Sequence, residues 1–200
     1  MNLFVGVSIL FTATAVALKP EPVSELLLEP YLGHWYQTYG SATVIYGTEF
    51  GANCVTADYD KVANSTAVSV QNTVFPLGYK TGVTGYAVQN PSAHGEFEVH
   101  LGPGSDPAKP KPFANANYIV MELGPVVDGK YDYALVTDPS SLSLYVLVRD
   151  VVRFRSNYET AVLETLESKG FTHLLNKPRR TNQNGCHNGP GELPEDEILV

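Results

Sequence analysis

The sequence predicts an all-β fold: an eight-stranded antiparallel up-and-down barrel with one C-terminal α-helix packed outside. Three observations carry this. Eight short strand-like runs follow one another between Gly33 and Arg149, with turn residues between them, a spacing that favours a barrel or sandwich over βαβ units. The only tryptophan, Trp35, comes two residues after Gly33 in the first run, and Arg149 ends the last. The two can meet at one end of a closed sheet with the guanidinium over the indole face. A single helical pattern then follows. A sandwich is the alternative architecture. It would fill its core, whereas a closed eight-stranded barrel has room for one small ligand and no exposed edges.

In chain order, Val23 to Leu32 is a short apolar-acidic lead-in with room for one helical turn. The strand runs are Gly33–Tyr39, Asn53–Val62, Thr66–Val74, Tyr79–Gln89, Glu96–Leu101, Asn117–Leu123, Tyr131–Thr137 and Leu142–Arg149. Turn signals separate them, among them Asn64-Ser65, Pro76-Leu77-Gly78, Asn90-Pro91, Asp128-Gly129 and Asp138-Pro139. Residues 102–114 hold four prolines and read as a loop. Ser156-Asn157-Tyr158-Glu159 fits a capping box, which starts the helix at Ser156. Val162, Leu163 and Leu166 give it one apolar stripe, and Gly170 ends it. The outer face of the last strands, Leu144, Val146 and Val148, is the surface available to cover that stripe. Phe171–Leu175 reads as a short final strand, and residues 177–200 as an extended polar tail.

Composition bounds the function. The 200 residues suggest one domain, and 44% apolar content suffices for a sizeable core. Mean hydropathy of −0.08 argues against a membrane protein or a disordered chain. The formal charge of −8, without a basic cluster beyond Lys177-Pro178-Arg179-Arg180, excludes nucleic acid as an expected partner. Residues 1–17 read as a cleaved signal peptide, with an apolar run from Leu3 and the small-x-small pattern Ala15-Val16-Ala17. The alternative is an uncleaved apolar N-terminus. The run is too short to span a bilayer, so stable membrane insertion is not expected. This leaves 18–200 as the mature, secreted domain, a monomer or weak dimer. The two cysteines, Cys54 and Cys186, suggest a disulfide in a secreted chain; two free buried thiols are the alternative. A bridge would close a loop of about 130 residues, for roughly 4–5 kcal/mol at most. Asn64-Ser65-Thr66 is an N-glycosylation sequon at an expected hairpin turn.

Taken together, Gly33-x-Trp35, the late Arg149, the single helix and the tail cysteine resemble the lipocalin family, and most closely its apolipoprotein D and bacterial-lipocalin branch. The resemblance runs from Glu29 to Cys186. Asn117-Tyr118-Ile119-Val120-Met121 looks like the family's Tyr-Trp-x-Leu strand and makes Tyr118 pocket-facing. Tyr131-Asp132-Tyr133-Ala134-Leu135-Val136 matches the next strand, and Leu135 is carried over from it as a ligand-contact candidate. Leu144 to Arg149 matches Ala-Trp-x-Leu-x-Arg, with Tyr145 where the family often has a pocket tryptophan. Val70-Gln71-Asn72 matches Val-x-Asn, whose asparagine often bonds a ligand polar group, and Thr181-x-Gln183…Cys186 resembles the family's C-terminal segment. The resemblance also favours a Cys54–Cys186 bridge from the second strand to the tail.

Period-two alternation then assigns the interior. If Arg149 points inward, so do Leu147 and Tyr145. If Cys54 reaches an outside tail, Val55, Ala57 and Tyr59 point in. Phe97, Val99 and Leu101 read as inward on the fifth strand, and Val68, Val70 and Asn72 on the third. Gly33, Trp35 and Arg149 are expected to form the structural barrel floor. Tyr59, Val70, Asn72, Phe97, Tyr118, Leu135, Tyr145 and Leu147 are the ligand-contact candidates; the tyrosines could equally be barrel filling, and Asn72 a locally satisfied amide.

The five histidines are scattered without metal-ligand spacing, and no nucleophile elbow or phosphate loop is present, so no metal, cofactor or catalytic residue is expected. The expected function is that of a secreted carrier of one small hydrophobic ligand, such as a fatty acid, a sterol or a retinoid- or carotenoid-like molecule. The alternatives are a lipocalin-type enzyme on a lipid or carotenoid, and a ligand-sequestering defence protein.

Overall fold

The computed structural model describes residues 19–76 and 80–186. The expected signal peptide, the turn at Leu77-Gly78, the start of a strand at Tyr79 and the tail beyond Cys186 lie outside them. After one helical turn, α1 (Leu28–Tyr31), come β1 (Gly33–Gly40), β2 (Ala52–Lys61), β3 (Ala67–Pro76), β4 (Thr81–Gln89), β5 (Glu96–Leu101) and β6 (Tyr118–Leu123). A two-stranded hairpin follows, β7 (Val126–Val127) and β8 (Lys130–Tyr131), then β9 (Tyr133–Thr137) and β10 (Leu144–Val148). Helices α2 (Val151–Asn157) and α3 (Glu159–Ser168) precede a last short strand, β11 (Arg179–Arg180).

The sheet runs β10-β9-β6-β5-β4-β3-β2-β1, and β1 pairs back onto β10, from Tyr36 opposite Val148 to Gly40 opposite Tyr145. That pairing closes an eight-stranded antiparallel barrel and rules out the sandwich. The seam between β5 and β6 is the shortest, with Glu96 opposite Ile119 and Phe97 opposite Tyr118. Beyond it the Asn117 side chain stands in for a strand: its Oδ1 accepts from the Val99 amide at 2.7 Å and its Nδ2 donates to the Val99 carbonyl at 2.9 Å. Both backbone groups are thereby satisfied where the ladder ends.

Of three register irregularities among the described residues, one lies between β6 and β9 at Val120/Glu122, and the other two shape β1 and β2. The β1–β10 register slips between Gln37 and Tyr39, which turns both Tyr36 and Tyr39 outward. The β2–β3 register slips between Asn53 and Thr56, and Cys54 takes φ +52, the left-handed region that bulges favour. The bulge frees β1 to pair with the tail instead, Tyr39 opposite Arg180. Cys54 is disulfide-bonded to Cys186 with Cα atoms 5.5 Å apart, and its amide donates to the Asn182 carbonyl at 2.9 Å. The fully buried Gln183 donates to the carbonyls of Gln37 and Val55 at 2.9 and 2.8 Å.

Apolar residues sort into two main cores. One fills the lower barrel around Trp35, Tyr31, Tyr59, Phe97, Val120 and Val136. The other lies outside: Val151 and Phe154 of α2, Val162 and Leu166 of α3, and Phe171 cover Leu144, Val146 and Val148. The surface expected to cover the helical stripe is thus the one that does.

Several boundaries differ from expectation. Helix starts at Val151, not Ser156, because the Asp150 carboxylate accepts from the Arg153 amide at 2.9 Å and caps the chain a turn and a half earlier. Ser156 lies inside α2, and the chain breaks at Tyr158 into a second helix. Gly170, at φ +87, follows the helix end as expected. Phe171–Leu175 is a series of turns, not a strand; the last strand is Arg179–Arg180. The run Tyr131–Thr137 breaks at Asp132, which is buried and bonded by the Arg153 Nε at 2.8 Å and Nη2 at 2.5 Å. This charge-assisted fork locks β9 to α2.

Candidate functional site

The barrel is closed at one end by the packing of Gly33, Trp35 and Arg149. Gly33 adopts φ +101, a conformation costly for any residue with a Cβ, and so starts β1 directly over Arg149. Trp35 is fully buried, and the Arg149 guanidinium lies 3.5 Å above its ring centroid. The same guanidinium donates to the carbonyls of Leu32 at 2.9 Å, Tyr31 at 3.0 Å, Pro30 at 3.2 Å and His34 at 2.5 Å, and Nε to Tyr131 at 3.3 Å. One side chain thereby holds the incoming α1 segment across the barrel bottom. Burial pushes the Arg149 pKa down to about 10, so it stays charged at neutral pH.

Above this floor the barrel is hollow. A cavity of about 590 Å³ opens at the end where β1 leaves and β2 enters. Seven of the eight candidate contacts, Tyr59, Val70, Asn72, Phe97, Tyr118, Tyr145 and Leu147, line it. Leu135 does not. It sits opposite Val146 and belongs to the core beneath the helices, because its neighbours Ala134 and Val136 take the inward positions. The outward face of β10 determines this by register: Val146 points away from the barrel, so its partner must too.

Three phenols meet at the deep end. The hydroxyls of Tyr31 and Tyr118 are 2.6 Å apart, and those of Tyr59 and Tyr118 are 3.3 Å apart. Burial pushes the Tyr59 pKa up to about 12 and raises those of Tyr31 and Tyr118 well above a free phenol's, so all three keep their protons. Two contacts consume two of three O–H donors, which leaves one to offer to a ligand acceptor. Higher up, Asn72 faces the cavity opposite Ala57, and among the described residues its amide has no protein partner.

The mouth carries the carboxyls. Glu49, on the loop after a π-helical turn at Val44–Thr48, accepts from the Gln37 Nε2 at 2.7 Å. Burial pushes its pKa up to about 7, against the lowering by Gln37. Tyr145 is held up to about 12 by burial and then by the Glu49 carboxylate beside it. Asp138 also lines the rim; burial raises its pKa, but hydrogen bonds from Ser140 and Ser143 outweigh this and hold it low. Tyr31, Gln37 and Glu49 were not among the candidates. Tyr31 reaches the cavity from a segment crossing the floor, and Glu49 from a loop, where alternation has no purchase. Gln37 lay on a predicted strand in step with Trp35, so carrying the alternation two residues on from Trp35 would have found it.

Asn64 is exposed at the β2–β3 turn with φ +57. Among the described residues no group of three His, Cys, Asp or Glu side chains is arranged to hold a metal, and no helix is long and apolar enough to cross a membrane.

Comparisons with known proteins agree with this architecture. The structure is similar to insecticyanin from the tobacco hornworm Manduca sexta, at 16% identity over 86% of this chain and 89% of that one, with a TM-score of 0.58. It is similar also to Per a 4, a major allergen from cockroaches, at 16% identity over 83% of this chain and 94% of that one, with a TM-score of 0.54. At such identities the likeness is one of fold. No curated protein matches in sequence. The family pattern described as the lipocalin-like domain matches residues 26–180, which span the floor, all eight barrel strands, both outer helices and the chain to the end of β11. The chain therefore belongs to the lipocalin-like domain family.

Proposed function

We propose that this protein is a secreted carrier that holds one small, largely apolar molecule in its barrel, and not an enzyme. The observation that carries the reading is the open cavity itself, apolar along most of its wall with a few convergent polar groups, the usual design of a small-molecule site. Both cysteines are tied in the disulfide, so no thiol nucleophile faces the ligand. The disulfide and the apolar leader over residues 1–17 support secretion, and the exposed Asn64 turn supports glycosylation there. The Val70-x-Asn72 pair on the cavity wall and the β2-to-tail disulfide support placement in the apolipoprotein D and bacterial branch.

Native mass spectrometry of protein purified from its source, followed by organic extraction, tests this. The expected result is one small molecule per chain that leaves with the organic phase. A folded protein that carries no such molecule and takes up none when offered apolar compounds would overturn the reading.

A further inference from the structure

We propose that the cavity prefers lipophilic amines to carboxylates, with the Glu49 carboxylate receiving the ammonium group at the mouth. The inference rests on the carrier reading above and names its ligand class. Its basis is the charge of the lining. Glu49 and Asp138 are both part of the wall, and among the described residues no Lys, Arg or His is. Burying a charged head group is costly unless an opposite charge or strong hydrogen bonds meet it. A carboxylate entering here finds no cation and two acids; an ammonium finds an acceptor.

Of the cations near the site, Arg179 lies over the Tyr46 ring at 5.3 Å and donates to the Leu174 carbonyl at 3.3 Å. Arg149 belongs to the floor and does not line the cavity; it is held by Trp35 and the backbone carbonyls around α1. Arg180 borders Glu49 in a separate shallow recess on the far side of the loop, but its Nη2 holds Glu159 at 3.1 and 3.2 Å and Tyr39 at 3.2 Å. Lys80 is exposed and does not line the cavity, and residues 77–79 carry no charge.

The two carboxyls are not equivalent. Asp138 Oδ1 accepts from the Ser140 amide at 2.6 Å and from its hydroxyl at 2.5 Å, and Oδ2 from the Ser143 amide at 2.7 Å. It is committed to its own turn. Glu49 has the Gln37 amide, with the Tyr145 phenol near it, and burial favours its neutral form. An entering ammonium supplies the charge partner this burial denies it. With the head at Glu49, an alkyl body descends past Val55, Val70 and Leu147 toward the phenols.

The test is displacement of a bound apolar fluorophore by dodecylamine, dodecanol and dodecanoic acid, at pH 8 and pH 5.5, on the wild type and Glu49→Gln. At pH 8 the amine is expected to displace at concentrations at least about tenfold below the acid, as a charge-assisted contact requires. The amine's advantage over the alcohol should shrink at pH 5.5, where Glu49 is protonated, and disappear in Glu49→Gln. Equal or tighter binding of the acid, or an amine advantage that survives Glu49→Gln, overturns the proposal while leaving the carrier reading intact. Failure of the fluorophore and all three compounds to bind folded protein overturns both.

Discussion

At the scale of single residues, Arg149 concentrates the most structure in the fewest atoms. It covers the only tryptophan and caps the carbonyls of the segment that seals the barrel. Arg149→Ala should lower stability in urea by about 3 kcal/mol, from the lost cation–π contact and the unpaired carbonyls. Ligand affinity per folded molecule should change little; a variant that unfolds like wild type but no longer binds would make Arg149 a ligand residue. Glu49 should be visible in the pH dependence of folding. Its carboxyl keeps its proton up to about pH 7 when folded but ionises near 4.5 when unfolded. Between those values unfolding releases a proton, so wild-type stability falls as pH rises through this window. Glu49→Gln cannot ionise, so it should gain on the wild type from pH 4.5 to 7 and not below. A constant difference across the window would mean Glu49 titrates as a solvated acid.

At the scale of elements, the tail acts as part of the sheet. β11 pairs with the half of β1 that the Cys54 bulge leaves open, and Gln183 bonds β1 at Gln37 and β2 at Val55. Gln183→Ala should cost about 2–4 kcal/mol, because two buried carbonyls lose their donor. An unchanged urea midpoint would reduce the tail to a tether held by the disulfide alone. What was legible in the sequence follows the same divide between regular and irregular structure. Alternation placed Val70, Asn72, Phe97 and Leu147 on the cavity wall because a strand without a bulge between them keeps every second side chain on one face. Leu135 was carried over from a matching motif and not counted from a neighbour's register; its partner Val146 places it outside. The Ser156-x-x-Glu159 pattern resembled a helix start, but Asp150 stands earlier in the chain, and the first competent cap begins the helix. Tyr31 and Glu49 owe their positions to a crossing segment and a loop, which have no period to read.

At the scale of the whole molecule, the fold separates stability from function. The helices and outer strands form one core, the floor forms another, and the upper barrel is left empty. A cavity of that size forgoes packing that a filled barrel would have, and the floor, the outer helices and the disulfided tail compensate. This division was legible from Trp35 and Arg149 at the two ends of the strand series, because their meeting requires closure. The depth of the hollow was not legible, since it depends on which inward side chains are small enough to leave it. The central claim, that this hollow receives one ligand, is tested most directly by titrating an environment-sensitive apolar fluorophore into folded wild type and Val70→Trp, with a melting curve for each. The expected result is saturable one-to-one binding by the wild type and loss of binding in Val70→Trp, whose indole occupies the cavity, with both proteins still melting cooperatively. Absence of binding to the folded wild type, or undiminished binding to folded Val70→Trp, would contradict it.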